Sequence, residues 1–271
     1  MDGQVFRTIW KLSTASVFTL ALGSSTVLAE DQSAPLTFVA IGDSLTTGFN
    51  AQRLLDNFPF SWATGTTSTS AFVSQASRVE QVAGRTVKRL NFAVAGSRAL
   101  DLARQAAETQ DQKPDFATVL IGANDVCSWP EDHHEALGQF DRDLRAGIDG
   151  LLAKNPDVRI ALVPVPDMGK LYDLGSTHGC QAIWNIVGLC SALLGSERSP
   201  AERQSFLHRL EDLNHQVESI AASYRNNVRF EAALADVQFE WQDISRIDCF
   251  HPSVAGQGKL SQKLWETSWV Q

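Results

Sequence analysis

The sequence predicts an α/β fold in which helices cover both faces of a parallel sheet. Short apolar runs alternate regularly with longer amphipathic stretches from residue 36 to residue 265, which is the pattern of successive strand–helix–strand units. The length of 271 residues suits one α/β domain. No repeat, low-complexity tract or long linker divides the chain. We therefore expect a single domain over residues 30–271.

Each strand is predicted from an apolar run and each helix from an amphipathic stretch that follows one. The expected strands are 36–41, 87–94, 116–121, 159–165 and 228–233. The expected helices are 99–110, 134–154, 201–224 and 253–265, the second of which is closed by Asn155 and Pro156. The glycine-rich stretch 168–198 fits neither pattern. We expect it to be irregular, and long loops of this kind are usually functional or disordered.

Composition limits the classes of partner. The formal net charge is -8 and no basic block is present, so nucleic acid is not an expected partner. With 44% hydrophobic residues, the chain is expected to be neither disordered nor embedded in a membrane. No feature indicates an obligate protein partner.

The first 29 residues have the features of a secretory signal peptide. Arg7 and Lys11 lie before or at the start of an apolar stretch at 12–23, and Val-Leu-Ala at 27–29 resembles a signal-peptidase site with cleavage near Ala29. The alternative is an uncleaved membrane anchor, but the apolar stretch is shorter than the roughly 20 residues that a span needs. We therefore predict a secreted protein, extracellular or periplasmic.

Export affects the interpretation of the four cysteines, Cys127, Cys180, Cys190 and Cys249. An even number in an oxidising compartment predicts disulfides, and three pairings are possible. We favour Cys127 with Cys249, because this bond would join the two segments that carry the candidate site, and Cys180 with Cys190. Four buried thiols are the alternative, and zinc is disfavoured because no two cysteines have metal-ligand spacing.

Five residues are candidates for nucleophilic chemistry. Ser44 directly follows the first predicted strand, and Asp248 and His251 lie three residues apart before the last helix. Serine, histidine and a carboxylate are the groups that an activated nucleophile requires. Gly96 and Asn124, after the second and third strands, can donate hydrogen bonds to an oxyanion. Because carboxyl ends of parallel strands meet at one sheet edge, we expect these residues to converge.

These segments resemble, in order, the four motif blocks of the GDSL or SGNH hydrolase family: Gly-Asp-Ser at 42–44, Gly96, Gly-Ala-Asn-Asp at 122–125, and Asp-Cys-Phe-His at 248–251. The resemblance implies a flavodoxin-like three-layer α/β/α sandwich that hydrolyses acyl esters with no metal or cofactor. It implies that Ser44 is the nucleophile, His251 the base and Asp248 its partner. The implied oxyanion donors are the N–H groups of Ser44 and Gly96 and the Asn124 amide. The chain contains no Gly-x-Ser-x-Gly motif, which would indicate the α/β-hydrolase fold instead.

A narrower resemblance is to the phospholipase B branch of that family, which also has cysteines just after the asparagine block and just before the histidine. The matching segments are 42–47, 61–62, 91–96, 124–127 and 248–251. This resemblance implies a lipid acyl ester as substrate and transient contact with lipid surfaces. A carbohydrate or small-ester O-acetyl esterase is the nearest alternative, and a non-catalytic binding protein on the same scaffold is the alternative from another class.

Two apolar segments are candidates for binding the acyl chain. Ile183 and Trp184 lie in an apolar stretch that is either core or an acyl-binding flap, and Trp62 has the same two interpretations. The charged run at 131–135 contains two histidines. We interpret it as a helix start, where acidic residues are favourable, and predict no metal site there, since no matching ligand spacing occurs elsewhere.

Overall fold

The computed structural model describes residues 34–109, 111–224 and 226–267, and its centre is a five-stranded, fully parallel sheet. The strand order is β2-β1-β3-β4-β5, which is the flavodoxin-like order. This confirms the predicted fold class. The predicted leader lies outside the described residues. The strands are β1 (Leu36–Gly42), β2 (Val87–Asn91), β3 (Phe116–Leu120), β4 (Arg159–Val163) and β5 (Val228–Phe230).

Ten α-helices surround this sheet within the described residues. They are α1 (Ser44–Thr47), α2 (Gln75–Ala83), α3 (Leu102–Glu108), α4 (Ala123–Ser128), α5 (His134–Leu152), α6 (Met168–Thr177), α7 (Gln181–Val187), α8 (Ser191–Leu194), α9 (Pro200–Ser223) and α10 (Val254–Thr267). Helices α3, α5 and α9 pack together, as do α2 and α10. Right-handed crossovers place α2 on the sheet face opposite α3, α5 and α9, because the chain reverses its direction across the sheet after β2. None of the described helices combines the length and apolar character of a membrane span.

Strand β1 lies where the chain reverses its direction across the sheet. It pairs with β2 on one side and with β3 on the other. Val39, Ala40 and Ile41 are fully buried. A strand covered on both faces is a continuous apolar run rather than an alternating one, which is why the sequence predicts β1 clearly. The loops after β1 and β3 therefore open into the crevice where doubly wound sheets bind ligands.

Helix α2 was not predicted, because polar side chains dominate its sequence. The signals for it lie at its ends instead. Ser74 accepts a hydrogen bond from the backbone N–H of Ser77, and Gly84 ends the helix in the left-handed conformation, which are typical N- and C-terminal caps.

The prediction that 168–198 is irregular is wrong, since this stretch forms α6, α7 and α8. Its glycines separate and end short helices: Gly179 precedes α7 and Gly188 caps it, both with positive φ. Trp184 in α7 is buried, and its indole N–H donates to the Cys249 carbonyl at 3.2 Å. Helices this short have little stability alone, so the sequence carries a weak helical signal and tertiary contacts hold them.

All four cysteines form disulfides, but the pairing that we favoured from the sequence is wrong. The bonds are Cys127–Cys190 and Cys180–Cys249. Cys180 and Cys190 flank α7, and its seven residues extend about 10 Å along the helix axis. That length is more than one disulfide bridges. The two ends of α7 are therefore bonded to different elements beside the candidate site, one to helix α4 and the other to the loop before α10.

Candidate active site

Ser44, His251 and Asp248 form one hydrogen-bonded line at the carboxyl edge of the sheet. Ser44 is the first residue of α1, and the other two lie in the loop before α10. His251 Nε2 is 2.8 Å from Ser44 Oγ, and His251 Nδ1 is 2.6 Å from Asp248 Oδ2. All three residues are buried. A carboxylate bound at Nδ1 places the proton there and leaves Nε2 free to accept the serine proton.

Asp248 is held by four donors. Its Oδ1 accepts from the backbone N–H groups of Phe250 and His251 at 2.9 and 3.0 Å. Its Oδ2 accepts from His251 and also from Asn50 Nδ2 at 2.6 Å. Burial raises the pKa of Asp248, but the bonds and charge of His251 and the bond from Asn50 outweigh burial and hold that pKa below its ordinary value. No local sequence pattern indicates Asn50, which lies 198 residues from Asp248.

The turn that carries Ser44 is fixed by the contacts of Gly42 with β3 and with the side chain of Gln105. Gly42 has a φ of 146°, and a Cβ there would lie 2.2 Å from the Leu120 carbonyl oxygen, so only glycine fits. The buried side chain of Gln105 accepts from the Gly42 N–H at 2.8 Å and donates to its carbonyl at 2.9 Å. These contacts fix the backbone two residues before Ser44.

Asp43 caps helix α1 by accepting the N–H of Leu45 at 2.9 Å. Burial raises the pKa of Asp43 to about 7, although the Leu45 bond opposes this shift, and the charge of Asp125 adds to it. Among the described residues, the second oxygen of Asp43 has no hydrogen-bond partner. Asp43 is thus a buried structural carboxyl whose ionisation lowers the stability of the folded protein at neutral pH.

The two other predicted oxyanion donors lie beside this turn. The Val94 N–H donates to the Gly42 carbonyl at 3.2 Å, and Gly96 follows with a φ of 83°. Asn124 Nδ2 donates to the Ser97 carbonyl at 2.9 Å. An amide has two N–H groups, so the second remains for another acceptor. The structure therefore brings the blocks around Ser44, Gly96 and Asn124 to one edge.

An apolar pocket adjoins Ser44 and Asn124. The first residues of α1 and α4, the helix α6 and the segments that precede α6 and α10 supply its walls, and apolar side chains dominate them. The lining residues are Ser44, Leu45, Ala123, Asn124, Val165, Pro166, Asp167, Met168, Leu171, Phe239, Ile244, Phe250 and Pro252. A pocket of this character binds apolar groups and orients them with few polar contacts.

The predicted acyl-binding residues Trp62, Ile183 and Trp184 do not line this pocket. Trp62 is fully buried in the core, and its backbone N–H donates to the Gln257 side chain at 2.9 Å. Trp184 is buried against Tyr172, and Ile183 packs beside the same core. Apolar core and apolar binding sites use the same residue types, and only the tertiary structure separates them.

The charged run at 131–135 leads into α5, as the sequence suggests. His133 Nε2 lies 2.8 Å from an Asp212 oxygen, and its ring stacks on Trp129. Across residues 34–109, 111–224 and 226–267, no cluster of three or more His, Cys, Asp or Glu residues is arranged to hold a metal ion.

Comparison with known proteins gives one family match and several structures of similar fold. The model of the GDSL-like Lipase/Acylhydrolase family matches residues 40–259. The structure of TesA is similar, with a TM-score of 0.53 and 16% identity over 85% of this chain and 97% of that one. The lipase Lip_vut3 from a goat rumen metagenome gives a TM-score of 0.53 and 15% identity over 87% and 100%. An extracellular lipase from Streptomyces rimosus gives 0.50 and 17% over 86% and 99%. No curated protein sequence matches the chain significantly.

Proposed function

We propose that this chain, which belongs to the GDSL-like lipase/acylhydrolase family, is a serine esterase that cleaves acyl esters through an acyl intermediate on Ser44. The observation that carries the proposal is the unbroken line of hydrogen bonds from Asp248 through His251 to Ser44. A buried serine next to an oriented imidazole is the arrangement that makes a weak nucleophile reactive.

The proposed reaction has two half-steps. Ser44 Oγ attacks the ester carbonyl while His251 Nε2, 2.8 Å away, takes the serine proton. His251 then protonates the leaving alkoxide, and an acyl-serine ester remains. Water, deprotonated by His251, then attacks the acyl-serine ester; the bond to Ser44 Oγ breaks, the carboxylic acid leaves, and His251 returns the proton to Ser44. Asp248 stays ionised throughout and stabilises the imidazolium, as its lowered pKa supports.

Three donors are proposed to stabilise the oxyanion. Ser44 is the first residue of α1, so its N–H has no partner within the helix. The Gly96 N–H and the second Asn124 amide proton complete the set. Donors fixed before the reaction stabilise developing charge at no cost in reorganisation, and the Asn124–Ser97 bond supports such fixation.

The proposed substrate is a lipid or phospholipid ester. The pocket walls beside Ser44, among them Met168, Leu171 and Phe239, suit an acyl chain better than a hydrated sugar. The resemblance to the phospholipase B branch supports the same substrate class. A small-ester or carbohydrate O-acetyl esterase remains the competing proposal and needs only a short acyl group in the pocket.

Ser44→Ala tests the reaction type. We expect kcat for nitrophenyl esters to fall by at least about a thousandfold, because the nucleophile is lost. Covalent labelling by a fluorophosphonate probe should disappear as well. Unchanged turnover in this variant, or no labelling of the wild-type protein, would overturn the esterase proposal and favour a binding protein.

Chain-length preference tests the substrate class. The wild-type protein should release fatty acid from phosphatidylcholine vesicles and prefer long-chain over acetyl nitrophenyl esters. Met168→Trp should fill the pocket and lower turnover of long-chain esters about tenfold while acetyl ester turnover changes little. Val82→Trp is the control, because Val82 is exposed on α2 and is not among the pocket-lining residues. Activity confined to acetyl and butyryl esters would replace the lipid proposal with the short-acyl one.

We also propose that the protein is exported and that cleavage removes residues 1–29. Two disulfides support an oxidising compartment. Mass spectrometry of protein recovered outside the cytoplasm should give an N-terminus at Glu30 and no free thiol. An intact Met1 on the exported protein would contradict the cleavage.

A further inference from the structure

The side chain of Asn50 joins the loop after α1 to the carboxylate of the Ser44–His251–Asp248 line. We propose that Asn50 is a positioning residue for the reaction, an inference that rests on the function proposed above. Its Nδ2 donates to Asp248 Oδ2 at 2.6 Å, and His251 Nδ1 lies 2.6 Å from the same oxygen. Two donors from different parts of the chain therefore meet on one carboxylate oxygen.

The bond from Asn50 fixes the position of the Asp248 carboxylate, which the bond from His251 alone does not fix. Asp248 Oδ1 is held by two backbone N–H groups of its own loop, so that oxygen moves with the loop. The Asn50 bond ties the other oxygen to the segment that follows Ser44. The carboxylate, and with it the imidazole, is thereby held against the element that carries the nucleophile. It also supports the ionised form of Asp248, whose pKa it helps to lower.

Asn50 can act in this way because its own orientation is fixed. Its Oδ1 accepts from the Leu55 N–H at 2.8 Å, so the amide cannot turn over without leaving that donor unpaired. Its backbone N–H donates to the Leu55 carbonyl at 2.9 Å, and its carbonyl accepts from Ser245 Oγ at 2.6 Å. The residue is buried and has a φ of 55°, a conformation that asparagine tolerates better than most residues.

The same loop contains a matched structural residue, Asn57. Its side chain is buried and bonds only within the loop, donating to the Arg53 and Leu55 carbonyls at 2.8 and 2.6 Å and accepting from the Arg53 N–H at 3.2 Å. Asn57 thus holds the loop without contact to Asp248. A comparison of the two asparagines separates direct positioning of the carboxylate from general support of the loop.

The first experiment compares Asn50→Gly with Asn57→Ala in the full chain. Glycine keeps the left-handed backbone and removes the side chain, with its bonds to Asp248 and to the Leu55 N–H. We expect Asn50→Gly to lower kcat for a nitrophenyl ester by about tenfold or more, with KM within about threefold of wild type, because a hydrogen bond to a charged group is lost. We expect Asn57→Ala to leave kcat within about threefold. Equal loss of kcat in both variants, or wild-type kcat in Asn50→Gly, would overturn the inference.

The second experiment uses Asn50→Asp and does not depend on the first variant folding. One oxygen of the new side chain still accepts from the Leu55 N–H. The other faces Asp248 Oδ2, where two ionised carboxylates cannot both persist. At low pH a shared proton restores the donor, so kcat of this variant should fall as pH rises through the range where wild-type kcat is level. Asp248 and His251 are the titratable groups bonded or adjacent to this position.

A pH profile of Asn50→Asp that follows the wild-type profile would overturn the positioning role. Ser44→Ala, assayed alongside, separates the two proposals. An active Ser44→Ala variant would refute the esterase mechanism and this inference together. An inactive Ser44→Ala variant beside wild-type behaviour of both Asn50 variants would refute this inference alone.

Discussion

The turn after β1 and the segment 168–198 lie beside the same pocket but are held in different ways. Asp43, Thr46 and Thr47 of the turn are fully buried, and the contacts of Gly42 with β3 and Gln105 are non-covalent. In the segment, Ile186 is 85% exposed, and two disulfides attach the ends of α7 to helix α4, which carries Asn124, and to the loop of His251.

This difference shows how the nucleophile and the pocket wall can be fixed independently. The position of Ser44 follows from a sheet edge that the core already determines. The position of α7 depends on the buried Trp184 and on the cross-links at its two ends, since short helices are unstable alone. Substitutions in the turn should therefore affect folding and chemistry together, whereas substitutions in the segment should separate them.

The largest effect is expected at Gly42. Gly42→Ala places a Cβ 2.2 Å from the Leu120 carbonyl oxygen at a φ of 146°, so the two strands must separate. We expect a loss of unfolding free energy above about 4 kcal/mol, measured by urea denaturation. Gly84→Ala is the control: its Cβ meets nothing within 4 Å, and its left-handed φ should cost only about 1 kcal/mol. Equal losses would show that the turn tolerates more than its geometry indicates.

The two disulfides should separate stability from activity. They close loops of similar length, with sequence separations of 63 and 69 residues, so removing either pair should cost about 4 kcal/mol. The Cys180→Ser and Cys249→Ser pair should lower kcat more than the Cys127→Ser and Cys190→Ser pair, because Cys249 lies two residues before His251. Esterase assays well below each Tm would test this. An equal loss of kcat would contradict this prediction and show that the two disulfides contribute equally to activity.

Gln105 tests whether the turn depends on one buried side chain. Gln105→Leu leaves the Gly42 N–H unpaired and removes donors to the Gly42 carbonyl and Ser97 Oγ. We expect a loss of about 3 kcal/mol in unfolding free energy and a lower kcat. Gln139→Leu on the exposed face of α5 should change stability by no more than about 0.5 kcal/mol. A small effect of Gln105→Leu would mean that β3 alone fixes the turn.

The smallest expected effect is a pH-dependent gain from Asp43→Asn. The folded protein raises the pKa of Asp43 from 3.8 to about 7, so it holds a proton that the unfolded chain releases. Stability from this group therefore falls as pH rises from about 4 to about 7. Asp43→Asn should raise unfolding free energy by about 2 kcal/mol at pH 8 and leave it unchanged at pH 4. The opposite sign is expected for Asp248, whose pKa is lowered, so its contribution is lost as pH falls. A gain at pH 4 from Asp43→Asn would refute the titration argument.

Several features of the fold and site follow from the sequence alone. The central strands β1 and β3 are recognisable because strands buried on both faces are nearly continuous apolar runs. The order of Ser44, Gly96, Asn124 and the 248–251 block along the chain predicts their meeting at one sheet edge, because parallel strands end at the same side. A local pattern determines each of these features.

The remaining features depend on contacts between residues far apart in sequence, and the tertiary structure decided them. Asn50 and Asp248 lie 198 residues apart, and no local pattern relates them. The disulfide pairing depends on where the two ends of α7 point. Whether Trp62 packs in the core or faces the pocket depends on contacts of its loop with distant residues such as Gln257 in α10. The hydrophobic periodicity of the sequence indicates which residues are buried. Only the packed fold determines which residues each buried side chain contacts.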